Sequence, residues 1–273
     1  MQNNDIEKQL SSIGKQLKNL FNISFQSVAC DMLEFDDYYC DGMIETLTKI
    51  KNDNLSLARF GDGEIGLCIY DTSFSTWQEW SADLQDELRR ILSKQVATET
   101  LIVTLPGAKI ENGWWREYWG KNWFILKRLL NKSGAKYGNT AVSRPECFTR
   151  YGNKAVMLWK SIWESKDVIF VTGEGSRFDT AHELFDNVKS KKTILSLPQN
   201  AFNEIETLTN KCINENNKDM IFIISLGQTG TVLAARLASK GFQALDVGHI
   251  DRSYDNVFNN GNRPENLPEI KGA

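Results

Sequence analysis

Four short apolar runs in the second half of the chain restrict its fold more than any other feature. They are Val168–Thr172, Thr193–Leu197, Ile221–Leu226 and Ala244–Val247. The segments between them, Thr180–Val188, Phe202–Asn214 and Thr229–Lys240, have helical character. Strands that are apolar throughout need cover on both faces, and strands that alternate with helices run parallel. The last helix ends at Gly241, a residue type that closes helices by adopting left-handed backbone. Upstream, Leu55–Phe60 and Leu101–Leu105 read as strands, the second stopped by Pro106. Trp80–Ser93, Glu111–Leu130 and Tyr151–Ser165 read as helices. The expected fold class is α/β, with a mostly parallel sheet, helices on both faces and ligand sites in the loops at the carboxyl ends of the strands.

The first part of the chain is different. Ile6, Leu10, Ile13, Leu17 and Leu20 recur at helical spacing, and Gly42–Lys51 continues with Met43, Ile44, Leu47 and Ile50 on one face. The expected organisation is a helical N-terminal extension over 1–52, a main domain over 53–258 and a C-terminal tail over 259–273. With 273 residues, 41% hydrophobic and 25% charged, the chain has globular composition, which excludes disorder and fibre. No apolar run is long enough to span a bilayer, and the polar start Met1–Asp5 carries no secretory signal. Five scattered cysteines without a Cys-x-x-Cys pair point to free thiols in a reducing compartment, hence a cytoplasmic location. Two histidines exclude zinc chemistry built on several His, and a net charge of −3 argues against nucleic acid.

Four loops carry candidate chemistry. In Arg59-Phe60-Gly61-Asp62-Gly63-Glu64 two carboxylates stand at i and i+2. In extended backbone both project to one side and reach one cation, Mg²⁺ or Mn²⁺, with substrate phosphates completing the shell. An ordinary polar turn is the alternative. Thr172-Gly173-Glu174-Gly175-Ser176-Arg177 suits a phosphate or a ribose hydroxyl, or else pairs Glu174 with Arg177. Ser225-Leu226-Gly227-Gln228-Thr229-Gly230-Thr231 leads into a helix and favours an anion, or caps that helix with Thr. It is neither a Walker A loop nor Gly-x-Gly-x-x-Gly. In Asp246-Val247-Gly248-His249-Ile250-Asp251 the histidine is a base, a metal ligand, a phosphate donor or a structural group. His182, inside a helical segment, reads as structural.

All eight tryptophans lie between Trp77 and Trp163. Trp115, Trp119 and Trp123 form one stripe of a helix, either core or a platform for sugar rings.

These loops in this order resemble the GT-D glycosyltransferases. The likeness rests on the four motifs together with Leu184-Phe185-Asp186, Pro198-Gln199-Asn200-Ala201-Phe202 and the continuation Val232-Leu233-Ala234, and spans roughly Leu55 to Tyr254. It implies a Rossmann-like fold with a Trp-rich helical insertion, acting as a hexosyltransferase. The donor would be a nucleotide sugar, typically UDP-glucose, and the acceptor a glycan or glycoprotein. By the same resemblance Asp62 and Glu64 hold Mn²⁺ or Mg²⁺. Arg59, Gly61, Gly63, Glu174, Arg177 and Asn200 line the nucleotide pocket, and Gly227, Thr229 and Thr231 face the diphosphate. Asp246, His249 and Asp251 stand at the reacting centre. A homo-oligomer or a partner glycosyltransferase is compatible with this reading. The chain departs from the family pattern at Gln228 and Gly230, where Pro and Ala are usual, at Asp179-Thr180-Ala181-His182 and at Arg252-Ser253-Tyr254-Asp255. A sugar-phosphate isomerase-like or phosphoribosyltransferase-like enzyme, or a non-catalytic sugar-nucleotide-binding module, remains open on the residues alone.

Overall fold

The apolar runs become the inner strands of a seven-stranded sheet in a computed structural model that describes residues 2–73, 77–215 and 218–266. The strands are β1 (Ser56–Arg59), β2 (Leu101–Leu105), β3 (Gly138–Asn139), β4 (Asp167–Gly173), β5 (Ser190–Ser196), β6 (Ile221–Ser225) and β7 (Gln243–Asp246). Their order is β3-β2-β1-β7-β6-β4-β5, and every described pairing is parallel. Edge strand β5 begins Ser190-Lys191-Lys192-Thr193, all exposed, which blunts a pairing edge and explains why only its second half reads as apolar.

Among the described residues, ten α-helices surround the sheet: α1 (Gln2–Tyr39), α2 (Met43–Asn52), α3 (Asp62–Ile69), α4 (Ala82–Leu92), α5 (Gly113–Leu129), α6 (Pro145–Tyr151), α7 (Asn153–Trp163), α8 (Ile205–Ile213), α9 (Gly227–Ser239) and α10 (Ile250–Phe258). Neighbouring strand residues feed opposite cores. Ile169, Val171, Phe222 and Ile224 pack with α4, α5, α8, α9 and the second half of α1. Val168, Phe170, Ile221 and Ile223 pack with α2, α6 and α7. This period-two alternation, apolar on both sides, is the physical content of the unbroken runs.

Four of the tryptophans are core. Trp119 and Trp123 lie in the first core, Trp159 and Trp163 in the second. The buried indoles of Trp159 and Trp163 donate to the carbonyls of Val142 (2.9 Å) and Leu184 (3.0 Å). On α1, Phe25, Val28, Met32 and Phe35 are buried, whereas Ile6, Leu10, Ile13, Leu17 and Leu20 are each at least half exposed. No described helix is long and apolar enough to cross a membrane. All five cysteines are free thiols. Residues 267–273 of the expected tail lie outside the described residues.

Three local readings change. Thr180–Val188 is not an α-helix; only Glu183–Phe185 make a 3-10 turn. His182 caps it, its Nδ1 accepting from Leu184 N at 3.1 Å while Nε2 meets Asp255 Oδ1 at 3.1 Å, so this histidine is structural as expected. Residues 62–69 form α3 despite two glycines, because burial of Ile65, Leu67 and Cys68 outweighs their poor propensity. Residues 250–258, not assigned from sequence, form α10.

The chain builds β1, β2 and β3 outward, then re-enters at β4 and returns to lay β7 beside β1. β1 and β7 therefore flank the reversal of strand order, where open α/β sheets form their clefts.

Backbone approach at β3 is close. A Cβ on Gly138 would meet Thr46 Cγ2 at 2.8 Å, and Ile102 Cδ1 and Thr104 Cγ2 at 2.9 Å. Gly138→Ala is therefore expected to destabilise the fold by about 1–3 kcal/mol through overpacking. Urea unfolding measures this, and an unchanged midpoint would contradict the packing.

Candidate active site

The carboxyl ends of β1, β7, β6, β4 and β5 open into one cavity of about 560 Å³, within the range of small-molecule sites. Each strand contributes its following loop: Arg59 from β1, Asp246, Gly248 and His249 from β7, Ser225–Gln228 from β6, Gly173–Arg177 from β4, and Leu197, Pro198, Gln199 and Ala201 from β5. Glu64 on α3, Arg144 before α6 and the pair Trp77 and Gln78 complete the wall.

Arg59 organises the floor. Its Nη1 donates to Ser143 Oγ at 2.6 Å and to the Val247 carbonyl at 3.1 Å, while its Nε has no partner. The guanidinium lies directly against Gly248, where a Cβ would sit 2.8 Å from Nη1 and where φ is +53°, so both space and backbone demand glycine.

Three carboxylates line this cavity; Glu174 is exposed, and the two enclosed ones, Glu64 and Asp246, are not the Asp62–Glu64 pair expected of the motif. Glu64 Oε2 accepts from Gly61 N at 2.8 Å, closing the first turn of α3. Asp246 accepts from Thr231 Oγ1 (3.0 Å) and Gly248 N (3.3 Å). Burial, then the charge of Asp246, pushes Glu64 up to about 7, with Arg59 opposing. Burial likewise raises Asp246, against Arg59 and the Thr231 hydroxyl. Asp62 is exposed and lies outside the cavity wall. The reason is local: residues 62–64 are helical, and two helical steps turn side chains about 200° apart. The extended geometry expected of Asp-x-Glu does not form. Among the described residues no three His, Cys, Asp or Glu side chains cluster around a cation position.

His249 is neutral at ordinary pH. Burial and then the arginines Arg177, Arg144, Arg59 and Arg252 push it down to about 4, and its Nδ1 has no partner. Burial, and then Arg59, also pushes Arg144 down to about 10. An enclosed site in which four guanidinium groups add to burial in keeping its histidine uncharged suits an anion.

Several expected site residues stand behind the wall. Thr229 and Thr231 are fully buried. Thr229 Oγ1 donates to Gln78 Oε1 at 2.9 Å, and Thr231 Oγ1 to the Arg59 carbonyl at 2.8 Å, so neither faces a diphosphate. Asp251 is also fully buried, accepting from Asp179 N at 2.9 Å, and it anchors the loop after β4 instead of facing the reacting centre. Asn200 receives Glu79 N at 2.7 Å and donates its own N–H to the Trp77 carbonyl at 2.7 Å, so it pins the strap that carries Trp77 and Gln78. Gly61 anchors Glu64, and Gly63 leaves room for the Gln228 amide, which a Cβ would meet at 2.6 Å. Arg59, Glu64, Glu174, Arg177, Gly227, Asp246 and His249 line the cavity wall.

Trp77, Gln78, Arg144, Gln228 and the Leu197–Pro198 wall are the contributions that sequence reasoning left out. Arg144 follows β3, a two-residue strand too short to be read, and its loop could not be recognised as a strand end. Gln228 was visible as a departure from the family pattern, and here it lines the cavity.

The raised Glu64 carboxyl gives stability a pH dependence. Native protein keeps this proton up to about pH 7, whereas an unfolded Glu loses it near 4.5. Stability therefore falls as pH rises across that window. In EDTA, Glu64→Gln is expected to shrink this fall by about 1–3 kcal/mol. Urea unfolding from pH 4 to 8 measures it, and parallel curves for the two proteins would refute it.

A family model described as glycosyltransferase GT-D fold matches residues 57–269. A glycosyltransferase, GlyD, of Streptococcus pneumoniae serotype 4 is 33% identical over 238 residues, covering 82% of this chain and 28% of the relative. A probable glycosyl transferase, Gly, of Streptococcus gordonii is 29% identical over 223 residues, covering 77% and 32%. The chain thus spans about a third or less of the length of these curated relatives. A solved structure of domain of unknown function 1792, described as a distinct glycosyltransferase fold, superposes with a TM-score of 0.74 at 27% identity, covering 93% of this chain and 91% of that one. A DUF1792 glycosyltransferase from Streptococcus sanguinis superposes with a TM-score of 0.70 at 28% identity, covering 82% and 85%. With the cleft at the reversal of strand order and its wall of strand-end loops, this chain belongs to the GT-D glycosyltransferase family.

Proposed function

We propose that this glycosyltransferase moves a hexose, glucose foremost, from a UDP-sugar to a hydroxyl of a glycan or glycoprotein, with Mn²⁺ or Mg²⁺ bound beside the diphosphate. The observation that carries this reading is one cavity wall holding two enclosed carboxylates, Glu64 and Asp246, together with Arg59, Arg144 and Arg177. Hard divalent cations take one or two carboxylates plus substrate phosphate oxygens, and this donor set fits that pattern. Glu64 and Asp246 would hold the cation, with the exposed Asp62 outside the wall. When bound, a divalent cation supplies neutralisation of the charge that gathers on the departing diphosphate.

The remaining work falls to side chains. Arg59 and Arg177 orient the phosphates through charge-assisted hydrogen bonds. Arg59 is already fixed to Ser143 and Val247, so it needs no reorganisation. Trp77 and the Leu197–Pro198 wall offer apolar surface to the flat base of the donor. Neutral His249, on the cavity wall, accepts the proton of the acceptor hydroxyl. Its basicity is low while four arginines surround it and rises once the anionic donor offsets their charge.

A screen of nucleotide sugars for release of the nucleoside diphosphate, with Mn²⁺, Mg²⁺ or EDTA, tests the reading. UDP-glucose is expected to turn over only with metal. Glu64→Gln and Asp246→Asn are each expected to slow turnover by about 100-fold or more, and Asp62→Asn by less, with melting temperature measured alongside. Full activity in EDTA, or in either of the first two variants, would sink the metal assignment. A melting-temperature rise with UDP-sugar but no turnover would leave a binding module instead.

A further inference from the structure

The Trp-rich helix α5 is not uniformly core. Trp119 and Trp123 are buried, but Trp114 is 53% exposed. Its exposure leaves a large aromatic face available to a ligand. Trp114 stacks on Tyr118, with ring centroids 5.3 Å apart and planes 16° apart. Trp115 stands edge-on to both, at 5.0 Å from Trp114 and 5.4 Å from Tyr118. One face of Trp115 rests on Trp119 (5.2 Å) and its ring is also covered by Lys109 Nζ at 5.1 Å, so it offers little free face. The outer face of Trp114 is therefore the open aromatic surface at the start of the helix; the other exposed ring on α5, Phe124, stands ten residues further on.

This surface is joined to the cavity. The Tyr118 hydroxyl donates to the main-chain carbonyl of Asp62 at 3.1 Å, which ties the aromatic pair to the first turn of α3. The same turn carries Glu64 into the cavity wall. The exposed Asp62 carboxylate is within the electrostatic reach of Lys109, of Tyr118 and of the wall residue Arg144. Asp62 thus links the aromatic pair, through its carbonyl, with the wall residue Arg144, through its charge.

We propose that the outer face of Trp114, backed by Tyr118, is the acceptor subsite: it takes the apolar face of the terminal sugar ring, and Asp62 accepts hydrogen bonds from that ring's hydroxyl groups. A pyranose presents C–H groups on one face and hydroxyl groups around its edge. A rigid aromatic plane beside one exposed carboxylate matches that split. The subsite rests on the glycosyltransferase reading above, and it is separate from the donor wall. It also gives the two halves of the Asp62–Glu64 pair different partners, which their opposite directions on α3 require.

The test uses p-nitrophenyl glycosides of glucose, galactose and N-acetylglucosamine as acceptor probes, with two readouts. Saturation-transfer NMR reports glycoside binding without turnover, and kinetics with UDP-sugar and metal report transfer. Wild-type protein is expected to bind at least one glycoside, and Trp114→Ala to lose that signal. In transfer, Trp114→Ala is expected to raise acceptor KM at least tenfold with kcat within about twofold. Trp114→Phe should restore KM to within about threefold, and Asp62→Asn should raise it severalfold. The melting-temperature shift given by UDP-sugar should be the same in wild type and Trp114→Ala. No glycoside binding by wild type, or equal binding by Trp114→Ala, overturns the subsite. Absence of nucleotide release with glycoside binding intact overturns the donor reading and leaves the subsite standing.

Discussion

The site depends on how Arg59 is held. One guanidinium nitrogen binds Ser143 and the Val247 carbonyl, and the Arg59 carbonyl receives the Thr231 hydroxyl. Those contacts join the end of β1, the turn before α6, the loop after β7 and the first turns of α9. The charge then acts outward: it lowers Glu64 and Asp246 against their burial, and it helps to keep His249 neutral. A lysine could supply the charge but not two directed hydrogen bonds from one planar group. The glycine at 248 follows from the same constraint, since any side chain there would occupy the space of the guanidinium.

Around Arg59 both signs of charge line one cavity. The enclosed carboxylates Glu64 of α3 and Asp246 of β7 share it with Arg144 and Arg177. Enclosed carboxylates are costly unless a cation compensates them. Here Arg59 compensates in part, which leaves Glu64 with a carboxyl that ionises only near neutrality. An anion with several charges, arriving with a divalent cation, satisfies both sets at once. The strap carrying Trp77 and Gln78 closes the remaining side, and Asn200, in left-handed backbone, fastens it.

The aromatic segment divides by burial. Trp119, Trp123, Trp159 and Trp163 fill the two cores, and three of those four indoles have hydrogen-bond partners. Trp77 serves the cavity and Trp114 remains at the surface. The spacing of 115, 119 and 123 predicted one stripe, and the two later members are core. Helical periodicity identifies which residues share a face, but not which neighbour covers it.

The sheet was legible because each inner strand is apolar on both faces, which the order of residues along the chain makes visible as unbroken apolar runs. The loops after β1, β4, β6 and β7 were legible for the same reason: strand ends locate them, and their glycines mark tight turns. What the sequence determined by itself is the parallel α/β plan, the rim at which the site forms, and several of its wall residues, including Arg59, Glu64, Arg177, Asp246 and His249. Tertiary structure decided the direction of each side chain. Asp62 and Glu64 part because their segment is helical, and it is helical because Ile65, Leu67 and Cys68 are buried by distant residues. Thr229, Thr231 and Asp251 turn inward because their partners, Gln78, Arg59 and Asp179, reach them only when the chain is folded. Motif spacing is a property of neighbours along the chain, whereas the site is made of neighbours across it.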